Sequence, residues 1–249
     1  MDIGNATILI TGGGSGIGRG LAEAFHAAGS KVIVTGRRQA ALDAVTAANP
    51  GMASMVLDVT DAAAIPAFAE RLIAEHPALD AVLNNAGIMV PEDVPAGGHL
   101  ETAEQTVATN LLGPIRLTAA LLPHLLTRQR ATVLTVSSGL AFVPLALTPT
   151  YSATKAAIHA YSVALRRQLR DTPVKVVEIA PPYVQTTLMG EAQASDPNAM
   201  PLDEFLAETM SLLAQPDATE IVVERCKPLR FAAERGEMAA TFEALNKLH

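Results

Sequence analysis

The chain has 249 residues, of which 49% are hydrophobic and only 17% are charged, and its formal net charge is −7. This composition excludes a disordered acidic protein, and the lack of any basic run argues against a nucleic-acid partner. One cysteine, Cys226, cannot form an intramolecular disulfide, and no histidine pair has zinc-site spacing, so we expect no metal. With no signal peptide and no apolar run of ~18 residues, we expect a cytoplasmic protein without a membrane partner.

Short runs rich in Val, Ile and Leu alternate along the chain with stretches of helical periodicity. This alternation predicts an α/β fold in one domain, a Rossmann-type doubly wound parallel sheet of about six strands with helices on both faces. The predicted strands are Ala6–Thr11, Lys31–Gly36, Ala53–Val59, Ala81–Ala86, Thr132–Ser137 and Lys175–Pro181, and the predicted helices include Gly18–Ala28, Ala62–Glu75, Glu104–Leu126 and Thr150–Leu169.

A glycine-rich loop follows the first predicted strand and leads straight into a helix. Gly12, Gly16 and Gly18 have the spacing G-x-x-x-G-x-G. Glycine at such positions lets the chain turn sharply, brings the backbone close to a pyrophosphate, and packs helix against strand. The helix N-terminus then offers free N–H groups to the anion. Tight turns also use glycine, but the position between strand and helix predicts a dinucleotide site.

Basic residues follow the second predicted strand. An NAD site usually has a carboxylate here, whereas this chain has Arg37 and Arg38, and a guanidinium can hold a 2′-phosphate. We therefore predict that NADP(H) is preferred over NAD(H), the alternative being that both arginines form a solvated turn. After the third strand, Asp58 could accept a hydrogen bond from an adenine amino group or cap the helix that starts near Asp61.

Two loops rich in Pro and Gly follow strand ends, where open α/β sheets bind ligands. They are Met89–Leu100 and Tyr183–Pro201, and the second is either a mobile lid or an ordinary surface loop. Residues near the expected pocket are mostly apolar, which favours a lipophilic ketone, aldehyde or secondary alcohol, although several of them could simply pack the core. They are Met89, Val90, Leu140, Phe142, Val143, Leu145, Tyr183, Leu188 and Met189.

A tyrosine and a lysine lie four residues apart at the start of a predicted helix, so their side chains share a face. Tyr151 and Lys155 form this pair. An ammonium beside a phenol favours the phenolate and lowers its pKa from about 10, which makes tyrosine a usable acid and base. Ser138, at the end of the fifth strand, could hold a substrate oxygen beside Tyr151. Alone, each feature is common on helix faces and in turns.

In this order, the motifs resemble the short-chain dehydrogenase/reductase family in its compact single-domain form. The resemblance covers roughly residues 6–187 and includes Thr11-Gly12-x-x-x-Gly16-x-Gly18, Asn84-Asn85-Ala86-Gly87 and Thr109-Asn110-Leu111, besides Ser138, Tyr151 and Lys155. It implies that Tyr151 is the acid/base, that Lys155 binds the nicotinamide ribose, and that Ser138 orients the substrate carbonyl. Asn110 would hold a water that links Lys155 to solvent.

The resemblance also implies a set of cofactor contacts, in which Thr186 meets the nicotinamide carboxamide and Arg37 marks the NADP(H) preference. The full set is Thr11, Gly12, Gly14, Ser15, Gly16, Ile17, Gly18, Arg37, Arg38, Asp58, Val59, Asn85, Ala86, Gly87, Tyr151, Lys155, Pro181, Val184 and Thr186.

The chain departs from the family pattern at two places. Pro181-Pro182 replaces the usual Pro-Gly, which puts the path of the Thr186 loop in doubt. Pro-Pro here is similar to a subgroup of bacterial oxidoreductases often found beside lipoteichoic-acid D-alanylation genes. Within the C-terminal part, residues 202–249, Asp217–Arg235 and Glu237–Leu248 show helical patterns and no seventh strand, which favours a homodimer through the two long central helices.

These observations predict an NADP(H)-dependent oxidoreductase that moves a hydride between nicotinamide and a carbonyl or secondary alcohol. The alternative is a cofactor-binding sensor without catalysis, although such proteins usually lack the tyrosine or the lysine. A sugar-nucleotide epimerase or dehydratase is a third alternative, but little sequence remains after Thr187 for a substrate domain.

Overall fold

The computed structural model describes residues 4–247, so residues 1–3 and 248–249, including the predicted helix end at Leu248, lie outside the described part. Its sheet has seven parallel strands in the order β3-β2-β1-β4-β5-β6-β7. The strands are Thr7–Thr11 (β1), Lys31–Gly36 (β2), Ala53–Val56 (β3), Ala81–Asn84 (β4), Ala131–Val136 (β5), Val174–Ala180 (β6) and Glu220–Val222 (β7).

Helices cover both faces of the sheet. They are Gly16–Ala27 (α1), Gln39–Ala48 (α2), Ala64–Glu75 (α3), Leu100–Val107 (α4), Gly113–Leu125 (α5), Pro149–Gln168 (α6), Glu191–Ala194 (α7), Leu202–Leu213 (α8), Lys227–Arg230 (α9) and Met238–Asn246 (α10).

The core consists of two apolar layers, one on each face of the sheet. Side chains alternate along β1, so that Ile8 and Ile10 enter the layer with Phe25 and Phe205, while Leu9 enters the layer with Phe68. All five residues of β1 are buried, as expected for a strand covered on both faces. This confirms the predicted doubly wound fold.

The seventh strand corrects the sequence analysis, which predicted helix over Asp217–Arg235 and no seventh strand. β7 pairs in parallel with β6 and places Ile221 in the core, and only the four-residue α9 is α-helical in that segment. Three strand residues are too few for a periodic pattern, and neighbouring apolar residues mimic a helix face. Because the homodimer prediction rested partly on a missing strand, that argument for it no longer holds. In the region of Glu237–Leu248, the structure forms α10.

The long helix predicted over Glu104–Leu126 is interrupted. A π-helical turn, Ala108–Leu112, separates α4 from α5. In a continuous α-helix the carbonyl of Asn110 would accept from the N–H of residue 114, but Pro114 has no N–H. The proline therefore gives a local reason for the wider turn, a feature often found at functional sites.

None of the helices in residues 4–247 is both long enough and apolar enough to span a membrane.

Candidate active site

The strand order reverses direction at β1, which has β2 on one side and β4 on the other. A crevice forms at such a switch point, at the carboxyl ends of the strands. Thr11 joins its two walls, because its Oγ1 accepts the N–H groups of Asn85 at 3.0 Å and Ala86 at 2.9 Å. In return, Asn85 Nδ2 donates to the carbonyl of Thr11 at 2.9 Å. The predicted motif residues thus fix the spacing of the crevice.

The glycine loop lies at one side of this crevice. Gly12 and Gly16 have φ values of 67° and 52°, which glycine adopts without strain. A Cβ on Gly18 would come within 2.3 Å of Asn85 Nδ2 and 2.4 Å of the Gly12 carbonyl oxygen, so the helix could not approach this closely with any other residue.

The first turn of α1 fits an anion. Ser15 occupies the N-cap position, but its side chain makes no capping hydrogen bond, and the first turn contains no acidic residue. The leading N–H groups and the positive end of the helix dipole therefore face the crevice without a competing side-chain acceptor. The residues present fit the pyrophosphate of a nicotinamide dinucleotide.

The Asp58 carboxylate accepts hydrogen bonds within its own turn and does not cap a helix. Its Oδ1 accepts from the backbone N–H of Thr60 at 2.9 Å and from Thr60 Oγ1 at 2.7 Å. Burial acts to raise the pKa of Asp58, but the Thr60 hydrogen bonds and nearby Arg37 outweigh it and lower the pKa. The capping alternative is wrong, because Asp61 accepts from the N–H groups at the start of α3 at 3.0 Å.

Both arginines after β2 have exposed side chains, and Arg38 occupies the N-cap position of α2. Arg37 lies close enough to Asp58 to lower the pKa of that carboxyl. The edge of the crevice beyond β2 thus carries two cations, one of them beside a fixed carboxylate.

Ser138 and Tyr151 meet on the other side of the switch point. Ser138 follows β5, and its Oγ accepts from the N–H of Leu140 at 3.1 Å, which caps the 3₁₀ turn Gly139–Ala141. The Tyr151 phenol lies close enough to the Ser138 side chain for the serine to act on its pKa, and both residues are 7% exposed. Residues distant in sequence therefore form one hydroxyl pair.

The pKa of Tyr151 runs opposite to the sequence prediction. Burial raises it to about 12, with Ser138 acting to lower it. Lys155 was expected to lower this pKa, but its Nζ lies 5.4 Å from the centre of the ring and donates to the carbonyl of Val136 at 2.8 Å. Burial also lowers the pKa of Lys155 to about 8, so the amine is still mostly protonated at neutral pH but closer to titration than an exposed lysine.

Asn110 links the crevice to α6 through its side chain. Its Oδ1 accepts from the N–H of Ile88 at 2.9 Å, and its Nδ2 donates to the Ile88 carbonyl at 2.9 Å and to Thr154 Oγ1 at 3.3 Å. The Asn110 side chain therefore ties the loop after β4 to α6.

The loop after β6 keeps Thr186 beside the glycine loop despite Pro182. A Cβ on Gly16 would lie 3.6 Å from the side chain of Thr186, which is 9% exposed. The carbonyl of Pro181 accepts from the N–H of Gly139 at 2.8 Å, so this loop is tied to the Ser138 turn. The base of the loop closes through a bridge between Val184 and Met200.

The predicted pocket residues differ in burial, and four of them, Met89, Leu140, Phe142 and Met189, are half-buried. Val143 and Leu145 are 0% and 4% exposed and belong to the core, whereas Val90, Tyr183 and Leu188 are 40%, 40% and 41% exposed. The exposed group lies on the loops that follow β4 and β6.

Sequence analysis missed Glu92, a carboxylate only 9% exposed in the loop after β4. It accepts from the backbone N–H of Thr150 at 3.1 Å and from the Thr150 hydroxyl at 2.8 Å. Glu92 thereby caps the helix that begins just before Tyr151, where a negative charge is favoured by the helix dipole. No local pattern marks this role, because the two residues are 58 positions apart.

A charge cluster beneath the Ser138 turn was also missed. Buried Glu178 pairs with His159 Nδ1 at 2.9 Å, and Arg230 pairs with Glu220 through two nitrogens. His159 and Arg230 both contact the ring of Phe142, at 4.8 Å and 4.6 Å. The segment after β7 therefore supports the turn that carries Ser138.

Known proteins share this architecture. A sequence model of the short chain dehydrogenase family matches residues 6–197. The chain is 37% identical over 250 residues to the uncharacterized oxidoreductase DltE of Bacillus subtilis (strain 168), with 99% of this chain and 98% of that protein covered. This similarity agrees with the bacterial subgroup suggested by Pro181-Pro182.

Two solved structures also match. The closed form of a serine dehydrogenase complexed with NADP⁺ has a TM-score of 0.78 and 28% identity over 86% of this chain and 92% of that one. A short chain dehydrogenase/reductase from Burkholderia phymatum in complex with NAD has a TM-score of 0.80 over 96% of each chain, and at 19% identity it shows the fold alone.

Proposed function

The chain belongs to the short-chain dehydrogenase family, and on that premise we propose that it is an NADP(H)-dependent oxidoreductase acting on a lipophilic carbonyl or secondary alcohol. The observation that carries the proposal is the Ser138–Tyr151 hydroxyl pair, held in front of Lys155 at the carboxyl end of β5. The glycine loop opens into the same crevice. A bound nicotinamide supplies or accepts the hydride.

Tyr151 provides the proton at its Oη. With a pKa near 12, the phenol is protonated at neutral pH and is ready to donate to a substrate oxygen as that oxygen gains negative charge. Ser138 donates a second hydrogen bond to the same oxygen and so orients it. In the reverse reaction the phenolate at the same position would accept the proton of the alcohol.

Lys155 holds the position behind Tyr151. An ammonium has three donors, one of which goes to Val136, so two are available for ribose hydroxyls. The carbonyl of Asn110 would hold a water in contact with this amine, and a lysine pKa of about 8 suits a group that passes protons near neutral pH.

Arg37 and Arg38 support the preference for NADP(H), since exposed guanidinium groups at the end of β2 suit a 2′-phosphate. The NADP⁺-bound serine dehydrogenase agrees with this preference, while the NAD-bound structure shows that the fold accommodates either cofactor. Arg37→Ala should weaken NADPH binding far more than NADH binding. Arg170→Ala, a change at another exposed arginine, is the matched control, and equal losses for both cofactors would refute the assignment.

The test of catalysis is Tyr151→Phe. This variant should lose turnover across a panel of ketones and aldehydes while binding NADPH as tightly as the wild type. If the wild-type protein binds NADPH but reduces nothing in the panel, a sensor function replaces the enzymatic one.

The remaining proposals concern organisation. We propose one NADP(H)-binding domain over residues 1–249, residues 183–201 as the substrate loop, and a cytoplasmic location. A homodimer through α5 and α6 is supported by exposed apolar side chains such as Val163 on α6 and Leu126, which directly follows α5. A solution mass of one chain or four would reject the dimer.

A further inference from the structure

Gln193 is a buried amide in α7, inside the loop between β6 and α8, and it is 6% exposed. Its Nε2 donates to the carbonyl of Val184 at 2.8 Å and to Thr186 Oγ1 at 3.2 Å, and its Oε1 accepts from the N–H of Met189 at 2.9 Å. The orientation of the amide is fixed by these partners, because a carbonyl can only accept and an N–H can only donate.

These contacts determine how the Thr186 hydroxyl can be used. A hydroxyl has two lone pairs and one hydrogen. Thr186 Oγ1 accepts from Gln193 and, at 3.4 Å, from the N–H of Leu188, so both lone pairs are engaged within the loop. The hydrogen is then left to donate outward.

The surroundings of Thr186 indicate which half of the crevice it borders. Its side chain packs beside Gly16 at the glycine loop, and its loop follows β6. In the sheet order, β6 lies beside β5, which carries Ser138, while β2 with Arg37 lies on the opposite side of the switch point. Thr186 therefore borders the half of the crevice that contains the hydroxyl pair, away from the two arginines.

We infer that Gln193 is a positioning residue that directs the Thr186 hydroxyl as a hydrogen-bond donor to an acceptor on the nicotinamide half of NADP(H). The inference rests on the proposed cofactor function and adds a residue that no sequence motif marks. Gln193 does not touch the cofactor; it acts by occupying the hydroxyl oxygen.

The test is a double-mutant cycle of Gln193→Met and Thr186→Val, read out as the Kd of NADPH by fluorescence titration. Each single variant should weaken binding about three- to tenfold, the effect of one hydrogen bond. The double variant should bind like Thr186→Val alone, because the amide then has no hydroxyl to direct. Binding of 2′,5′-ADP, which lacks the nicotinamide half, should be unchanged in all three.

Two controls distinguish an effect on the direction of the Thr186 hydroxyl from a general loss of order in the loop. Thr186→Ser keeps the hydroxyl and should retain NADPH affinity, and Gln185→Met removes a comparable amide bond, to the carbonyl of Asp196 at 3.1 Å, without touching Thr186. If Gln193→Met does not fold, as judged by circular dichroism, Gln193→Glu replaces it in the double-mutant cycle. Glutamate keeps the side-chain length and the acceptor oxygen but removes the N–H donor.

Additive losses in the cycle, an equal loss in Gln185→Met, or weaker binding of 2′,5′-ADP would each overturn the inference. Failure of the proposed function looks different: the wild-type chain itself would not bind NADPH.

Discussion

Lys155→Met should make the protein more stable while removing its activity. Burial lowers the pKa of Lys155 from the usual value of 10.5 to about 8 in the folded chain. Each unit of pKa corresponds to about 1.4 kcal/mol, so holding the ammonium in the fold costs about 3 kcal/mol below pH 8. Methionine removes this cost but leaves the Val136 carbonyl without its donor, which costs at least about 1 kcal/mol.

The net gain of about 1–2 kcal/mol corresponds to a Tm about 3–6 °C higher at pH 7 for a chain of this size. The two pKa values of Lys155 determine whether its contribution to stability rises or falls with pH. The unfolded chain keeps its lysine proton up to about pH 10.5 and the folded chain only to about pH 8, so the contribution of Lys155 to wild-type stability improves as the pH rises between these values. The advantage of the variant should therefore shrink above pH 8.

Thermal unfolding followed by circular dichroism at pH 7 and pH 9.5 measures both effects. Lys31→Met is the matched control, since Lys31 is exposed and its replacement should change stability little at either pH. If Lys155→Met melts at or below the wild-type temperature at pH 7, the buried ammonium is not costly and the reasoning fails.

Three further outcomes follow from local packing and burial. Gly18→Ala should lower the free energy of unfolding by about 1–3 kcal/mol and weaken NADPH binding, because its Cβ would overlap the Asn85 amide; a normal Tm with normal binding would contradict this. Glu92→Ala should lower the Tm and kcat together by uncapping the N–H and hydroxyl of Thr150, whereas unchanged kcat would show that the cap does not position the helix. Burial raises the pKa of Cys226 to about 12, so a thiol reagent should label it only as fast as the chain unfolds, and rapid labelling of the native protein would disprove this.

Features with a local cause could be predicted from the sequence. Strand and helix periodicity predicted the doubly wound sheet, since apolar side chains repeat with the geometry of each element. The glycines of the first loop and the Tyr151–Lys155 pair are close in sequence, and their spacing on one turn or one helix face is set by backbone geometry alone. Even the π turn has a local cause in Pro114, although the periodicity of Glu104–Leu126 concealed it.

Features that depend on contacts between distant segments were decided by the tertiary structure. The three-residue strand β7 forms only because β6 offers it an edge and the core accepts Ile221. The pKa of Tyr151 rises because packing removes water from the phenol, an effect that outweighs the influence of the neighbouring Ser138. Glu92 and Gln193 make their hydrogen bonds through contacts that the folded loops bring together. Hydrogen-bond partners and desolvation depend on which segments the fold brings together, and no local periodicity encodes them.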